Sequence, residues 1–184
     1  MKKMTLALAT ITLAISATHA SDGTITITGT VTDKTCNIAT AAGKNFTVAL
    51  PTVSKQTLAR AGDIAGRTPF TINLDKCSEG KVATYFEPGA NVDFNSGRLN
   101  NANGSAKNVQ VQLLGSNNGF LPILATNATG SAAKNTYAGS QTNSQWVDVA
   151  NGKADLNYYA EYYATDTSTA GTVSTSVQYT IIYQ

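Results

Sequence analysis

The chain is 184 residues long, with 13 lysines and arginines against 11 aspartates and glutamates and a formal net charge of +2. Only 13% of its residues are charged and the basic ones are scattered singly, which excludes the concentrated basic face of a nucleic-acid binder. A single histidine, His19, and two cysteines leave little material for imidazole catalysis or a zinc site.

In chain order, Met1, Lys2 and Lys3 supply positive charge, residues 6–17 a short apolar run, and Thr18, His19 and Ala20 a small-residue ending. This is the layout of a secretory signal peptide over residues 1–20, cleaved between Ala20 and Ser21, and it predicts an exported chain without a membrane anchor. Removal of Lys2 and Lys3 lowers the basic count from 13 to 11, equal to the 11 acidic residues. The remaining residues, about 164, are enough for one domain with a sizeable core.

Residues 24–31 read Thr-Ile-Thr-Ile-Thr-Gly-Thr-Val, placing Ile25, Ile27, Gly29 and Val31 on one face of a strand and threonines on the other. Gly29 is unexpected there, because a glycine weakens a strand and usually marks a close approach of something bulky. Cys36 and Cys77, 41 positions apart in an exported chain, read as a disulfide rather than a metal site, since no Cys-x-x-Cys accompanies them and His19 leaves with the signal.

Further strands are expected at Phe46 and Val48 before Pro51, at Phe70, Ile72 and Leu74, over residues 82–86, at Val109, Val111 and Leu113, over residues 146–149, and over residues 156–164. Clusters of Asn, Gly, Ser and Thr at 100–105 and 127–131 separate them, and residues 54–61 are expected to hold one or two helical turns. Tyr158, Tyr159, Tyr162 and Tyr163 could form a sugar-stacking platform, but tyrosine is a good strand former, and the favoured reading puts Tyr158 and Tyr162 in a core. Over residues 172–184, Val173, Val177, Tyr179, Ile181 and Tyr183 again alternate. Many short strands with turn signals between them indicate an all-β sandwich.

Signals for catalysis are sparse. No histidine remains after residue 20, and neither a Gly-x-Ser-x-Gly elbow nor a phosphate loop occurs. Asp148 and Asp155 flank a turn but read as solvated charges. The glycosylation-like triplets at Asn45, Asn103 and Asn127 are expected by chance in an Asn- and Thr-rich chain. No enzyme, cofactor or metal is expected. Two uses of the first strand stay open: it pairs within its own sandwich, or it fills another molecule's exposed groove by β-strand addition.

The alternating 24–31 segment with its internal glycine, Thr35-Cys36, the spacing to Cys77 in Asn-Leu-Asp-Lys-Cys, Gly171 fourteenth from the end and the penultimate Tyr183 together resemble a major fimbrial subunit of the chaperone–usher class, close in kind to the type 1 pilus rod protein. The resemblance implies an immunoglobulin-like sandwich over residues 33–184 lacking its final, seventh strand, preceded by a donor strand at 21–32. It further implies an acceptor groove lined by Gly171, Val173, Val177, Tyr179, Ile181 and Tyr183, and a periplasmic chaperone that lends a strand and holds the carboxylate of Gln184. At an outer-membrane usher, Ile25, Ile27, Gly29 and Val31 of the next identical subunit would replace the chaperone strand. The implied product is a homopolymeric surface fimbria supporting adhesion, with a tip adaptor or adhesin as further partner. A minor or adaptor pilin, and a secreted monomeric carbohydrate-binding module, are the competing readings.

Overall fold

The computed structural model describes residues 22–123 and 141–184. The expected signal peptide and the turn cluster at 127–131 lie outside the described residues. The chain divides into two units, Met1–Thr30 and Val31–Gln184. In the first, residues 23–30 carry no assigned secondary structure, and Ile25 and Ile27 are each 90% exposed.

The second unit holds ten strands and one short 3-10 helix among its described residues. The strands are β1 (Asn37–Ile38), β2 (Ile64–Asp75), β3 (Lys81–Phe86), β4 (Val92–Asp93), β5 (Arg98–Asn100), β6 (Val109–Gly115), β7 (Phe120–Leu121), β8 (Val147–Asp148), β9 (Ala154–Ala164) and β10 (Tyr179–Tyr183). One sheet runs β1-β2-β9-β6-β5-β4 with β7 also on β6, and the other runs β10-β3-β8. All the strand pairs are antiparallel.

Period-two alternation explains the long strands. Ile72 and Leu74 of β2, Val111 and Leu113 of β6, and Leu156 and Tyr158 of β9 turn inward against Val82 and Phe86 of β3, forming one core. Tyr158 sits edge-on to Phe86 at 5.2 Å and 5.7 Å from Phe70, a favoured aromatic arrangement. Tyr158 is therefore buried, while Tyr162 is half-buried and packs on a smaller cluster of Leu58, Ala106, Val109 and Ala164. The helix expected over 54–61 is reduced to the 3-10 turn Lys55–Leu58, with the Ser54 hydroxyl accepting from Gln56 N–H. It ends at Ala59, and the chain then turns at Gly62, whose φ is +94°.

The outer face of the large sheet is polar and yet closed. Glu161, 1% exposed, accepts from Arg67 Nε at 2.7 Å and from Gln112 Nε2 at 2.6 Å. Gln112 in turn accepts from Arg98, whose guanidinium lies 3.6 Å from the Tyr163 ring centre and 4.6 Å from that of Phe120. A bulge between Ala65 and Thr68 directs Arg67 into this network. Gly66, at φ +69°, is needed at the bulge, because a Cβ would meet the Tyr162 ring at 3.1 Å. The hydrogen bond that Arg67 donates to Glu161 holds its guanidinium above the ordinary pKa, against the opposing effect of burial.

Cys36 and Cys77 are joined in a disulfide with Cα atoms 4.1 Å apart, tying the residue before β1 to the segment that follows β2. Opening the 41-residue separation with Cys36→Ser and Cys77→Ser is expected to lower stability by about 4 kcal/mol, the chain-entropy value for a loop of this size. Denaturant unfolding of oxidised wild type and the double variant checks this, and equal midpoints would refute it.

Candidate functional site: an unfinished sheet edge

Gln184 and Lys81 exchange both backbone hydrogen bonds, at 2.9 and 3.2 Å. By antiparallel alternation, the register then makes Ile182 with Ala83 and Thr180 with Tyr85 the hydrogen-bonded pairs of the β10–β3 ladder. The bond from Glu87 N–H to the Gln178 carbonyl, 2.8 Å, continues the series. Tyr179, Ile181 and Tyr183 consequently turn their backbone N–H and C=O groups to the opposite edge. Among the described residues no strand pairs with β10 there.

The same three residues point their side chains inward. With Val173 and Val177 they pack against the main core while staying partly exposed. A second apolar row, Phe46, Val48 and Leu50, packs on that core from another part of the chain and is also only partly buried. Its residues alternate partly buried and exposed as a strand would, but residues 46–50 carry no strand assignment. Side chains at the ends connect the two rows. Tyr179 donates its hydroxyl to the Lys44 carbonyl at 2.9 Å, and its ring centre lies 6.4 Å from that of Phe46. Cys36 N–H donates to the Tyr183 hydroxyl at 3.0 Å. Burial raises the Tyr179 phenol above its ordinary pKa, as suits a ring set into an apolar row.

The expected final strand, 172–184, is laddered only over β10. Residues 172–177 lie outside that ladder, with Ala106 N–H on the Thr172 carbonyl at 3.0 Å and Asn103 N–H on the Ser174 carbonyl at 3.1 Å. Gly171 stands at the entrance, where a Cβ would come within 2.5 Å of the Ala106 nitrogen, so no side chain fits. Gln184 lies at the other end. Its main-chain oxygen accepts from Lys34 Nζ at 2.7 Å beside Gly80, in a polar depression of about 680 Å³ that also touches Glu79 and Asp148.

The structure thus gathers Val173, Val177, Tyr179, Ile181 and Tyr183 into one row. The other expected set is left unpacked: Ile25, Ile27 and Val31 are among the most exposed large apolar residues described. Gly29 has no heavy atom within 4 Å of where its Cβ would stand. The sequence reading of the row at Phe46, Val48 and Leu50 covers only Phe46 and Val48, as a strand; the alternation on to Leu50 is the available signal for a groove wall.

A two-sheet β-sandwich with an apolar row beside an unpaired strand edge is an architecture that strand addition can complete. The chain belongs to the type-1 fimbrial protein, A family (FimA), whose model matches residues 50–184. It is 64% identical over 170 residues to the major fimbrial subunit SMF-1 of Stenotrophomonas maltophilia (strain K279a), covering 91% of this chain and 95% of that one. It is 44% identical over 177 residues to the F17 fimbrial protein of Escherichia coli, covering 92% and 91%. A solved chaperone–usher pilus structure, described for its rod uncoiling, shares the fold at a TM-score of 0.58 and 19% identity, over 89% of this chain and 96% of that one. The protein is a structural subunit of an extracellular bacterial fimbria and polymerises with other subunits.

Replacing Tyr183 by Phe removes the acceptor of the Cys36 N–H bond. The expected loss is about 1–2 kcal/mol, seen as a lower urea midpoint at unchanged slope. An unchanged midpoint would show that the hydroxyl does not hold the end of the groove.

Proposed function

We propose that the chain is a major rod subunit that polymerises head to tail by donor-strand exchange, with Ile25, Ile27, Gly29 and Val31 of one subunit filling the apolar row of the next. The observation that carries this reading is the match between two incomplete surfaces. The β10 edge offers the backbone groups of Tyr179, Ile181 and Tyr183 without a strand partner among the described residues. The 24–31 segment offers alternating apolar side chains that are almost fully exposed.

Gly29 supports the same pairing. A glycine within a strand marks a close backbone approach, and the donor reading supplies one in the neighbouring subunit's groove. Burying two isoleucines and a valine stabilises the joint by roughly 5–9 kcal/mol, and each new ladder bond adds about 0.5–1.5 kcal/mol. A strand at one end and a groove elsewhere make a heterologous, non-closing contact, which yields a filament rather than a ring.

In this reading a periplasmic chaperone occupies the β10 edge before assembly, an outer-membrane usher is where the exchange takes place, and a tip adaptor or adhesin ends the fibre. Gln184 is the proposed chaperone anchor, a role supported by its main-chain oxygen already accepting from the lysine ammonium of Lys34. The role is structural rather than catalytic.

Ile27→Asp tests the donor role. Because Ile27 is 90% exposed, the subunit is expected to fold and to be held by its chaperone as wild type is. Fibre yield, read by electron microscopy and by detergent-resistant ladders, is expected to fall more than tenfold. Fibres of normal length and number would end the proposal.

A further inference from the structure

The small sheet has a second edge, the side of β3 away from β10. Ala83 and Tyr85 spend their backbone groups on β10, so Val82, Thr84 and Phe86 direct theirs outward. Strand β8 covers only the beginning of that edge, pairing with Lys81 and Val82. The remaining length, Thr-Tyr-Phe, is β-rich, and an open edge of this kind is a template for strand addition.

Among the described residues side chains, not a strand, close it. Gln141 Nε2 donates to the Phe86 carbonyl at 2.7 Å, and Phe86 N–H donates to Gln141 Oε1 at 2.8 Å. One primary amide thereby presents the donor–acceptor pair that a residue of a neighbouring strand would present. The Ser144 hydroxyl donates to the Thr84 carbonyl and lies 3.1 Å from the Tyr158 hydroxyl. A turn bond from Ser144 N–H to the Gln141 carbonyl, 2.9 Å, holds the two together. Gln141 and Ser144 are 4% and 3% exposed, so water does not compete for these bonds.

We propose that Gln141 and Ser144 are a built-in edge cover that determines where a strand can be added: they terminate the small sheet beyond β3, so that it accepts a donor only at β10. A side-chain amide satisfies the backbone it faces but offers no further backbone to extend, so the sheet ends there. The consequence is the valence of the subunit. One donor and one acceptor edge give an unbranched chain, whereas one donor and two acceptor edges permit branching. This inference rests on the donor-strand reading above and adds to it the choice of edge.

The test uses the full chain expressed with its own secretion machinery, as wild type, Gln141→Leu, and Gln141→Leu with Ser144→Ala. Amide hydrogen exchange on the purified proteins is expected to rise at least tenfold at Phe86 in both variants, while Ala83 and Tyr85, bonded to β10, stay protected. Electron microscopy is expected to show branch points or lateral joins in variant fibres and none in wild type. Unchanged exchange at Phe86, unbranched variant fibres, or loss of protection across β3 and β10 alike would each overturn the edge-cover role. Failure of the underlying donor reading is separable, since it would appear as normal fibres from Ile27→Asp.

Discussion

A β-strand carries hydrogen-bonding groups on both edges, and among the described residues β10 has a strand partner on only one. A free edge beside a half-covered apolar row combines two unfavourable exposures, unpaired backbone and wet hydrocarbon, and one added strand relieves both. The surrounding structure keeps that site open and shaped. The disulfide and the Tyr183 hydroxyl secure one end, through Cys36. The Tyr179 hydroxyl ties the opposite wall at Lys44, and Gly171 lets the strand run close against Ala106. These are local bonds at the ends of the row, and they leave the backbone edge between them free.

The other surfaces are finished by different means. Strand β6 is buried over its whole length, although its outward residues include Gln110 and Gln112. That is tolerable because each amide is paired, Gln110 with Asp93 and Asn100, Gln112 with Glu161 and Arg98. The outer edge of β3 is closed by the amide of Gln141. Polar side chains thus satisfy the sheet groups at these places, and apolar side chains are left partly uncovered beside the β10 edge.

Family membership and fold agree on a fimbrial subunit, and the solved pilus structure shares the fold at low identity. What this chain's own residues add is the physical asymmetry between its two incomplete parts. The row at β10 is held in place by the body of the sandwich. The Ile25, Ile27 and Val31 side chains stand in solvent, a state that costs little only if it is brief or if another molecule covers them.

The alternation in β2, β6 and β9 was legible because long strands repeat the period many times, and with it the all-β class and the core at Ile72, Leu74, Leu156 and Tyr158; β3 was legible only as a short β-rich run. Strands β1, β4, β5 and β7 were not, since two or three residues carry no period. Residues 46–50 and 172–177 alternate as strands do yet are not laddered, because alternation records which way side chains face, whereas a ladder needs a neighbour. The Arg67–Glu161 pair and the Gln141–Phe86 clamp join positions 94 and 55 apart, and no local pattern announces them. The sequence by itself therefore determined the faces of the strands, through side-chain polarity at spacing two. Only the tertiary structure decided which backbone edges are paired, capped or left open, because a hydrogen bond is set by the groups brought opposite it in space.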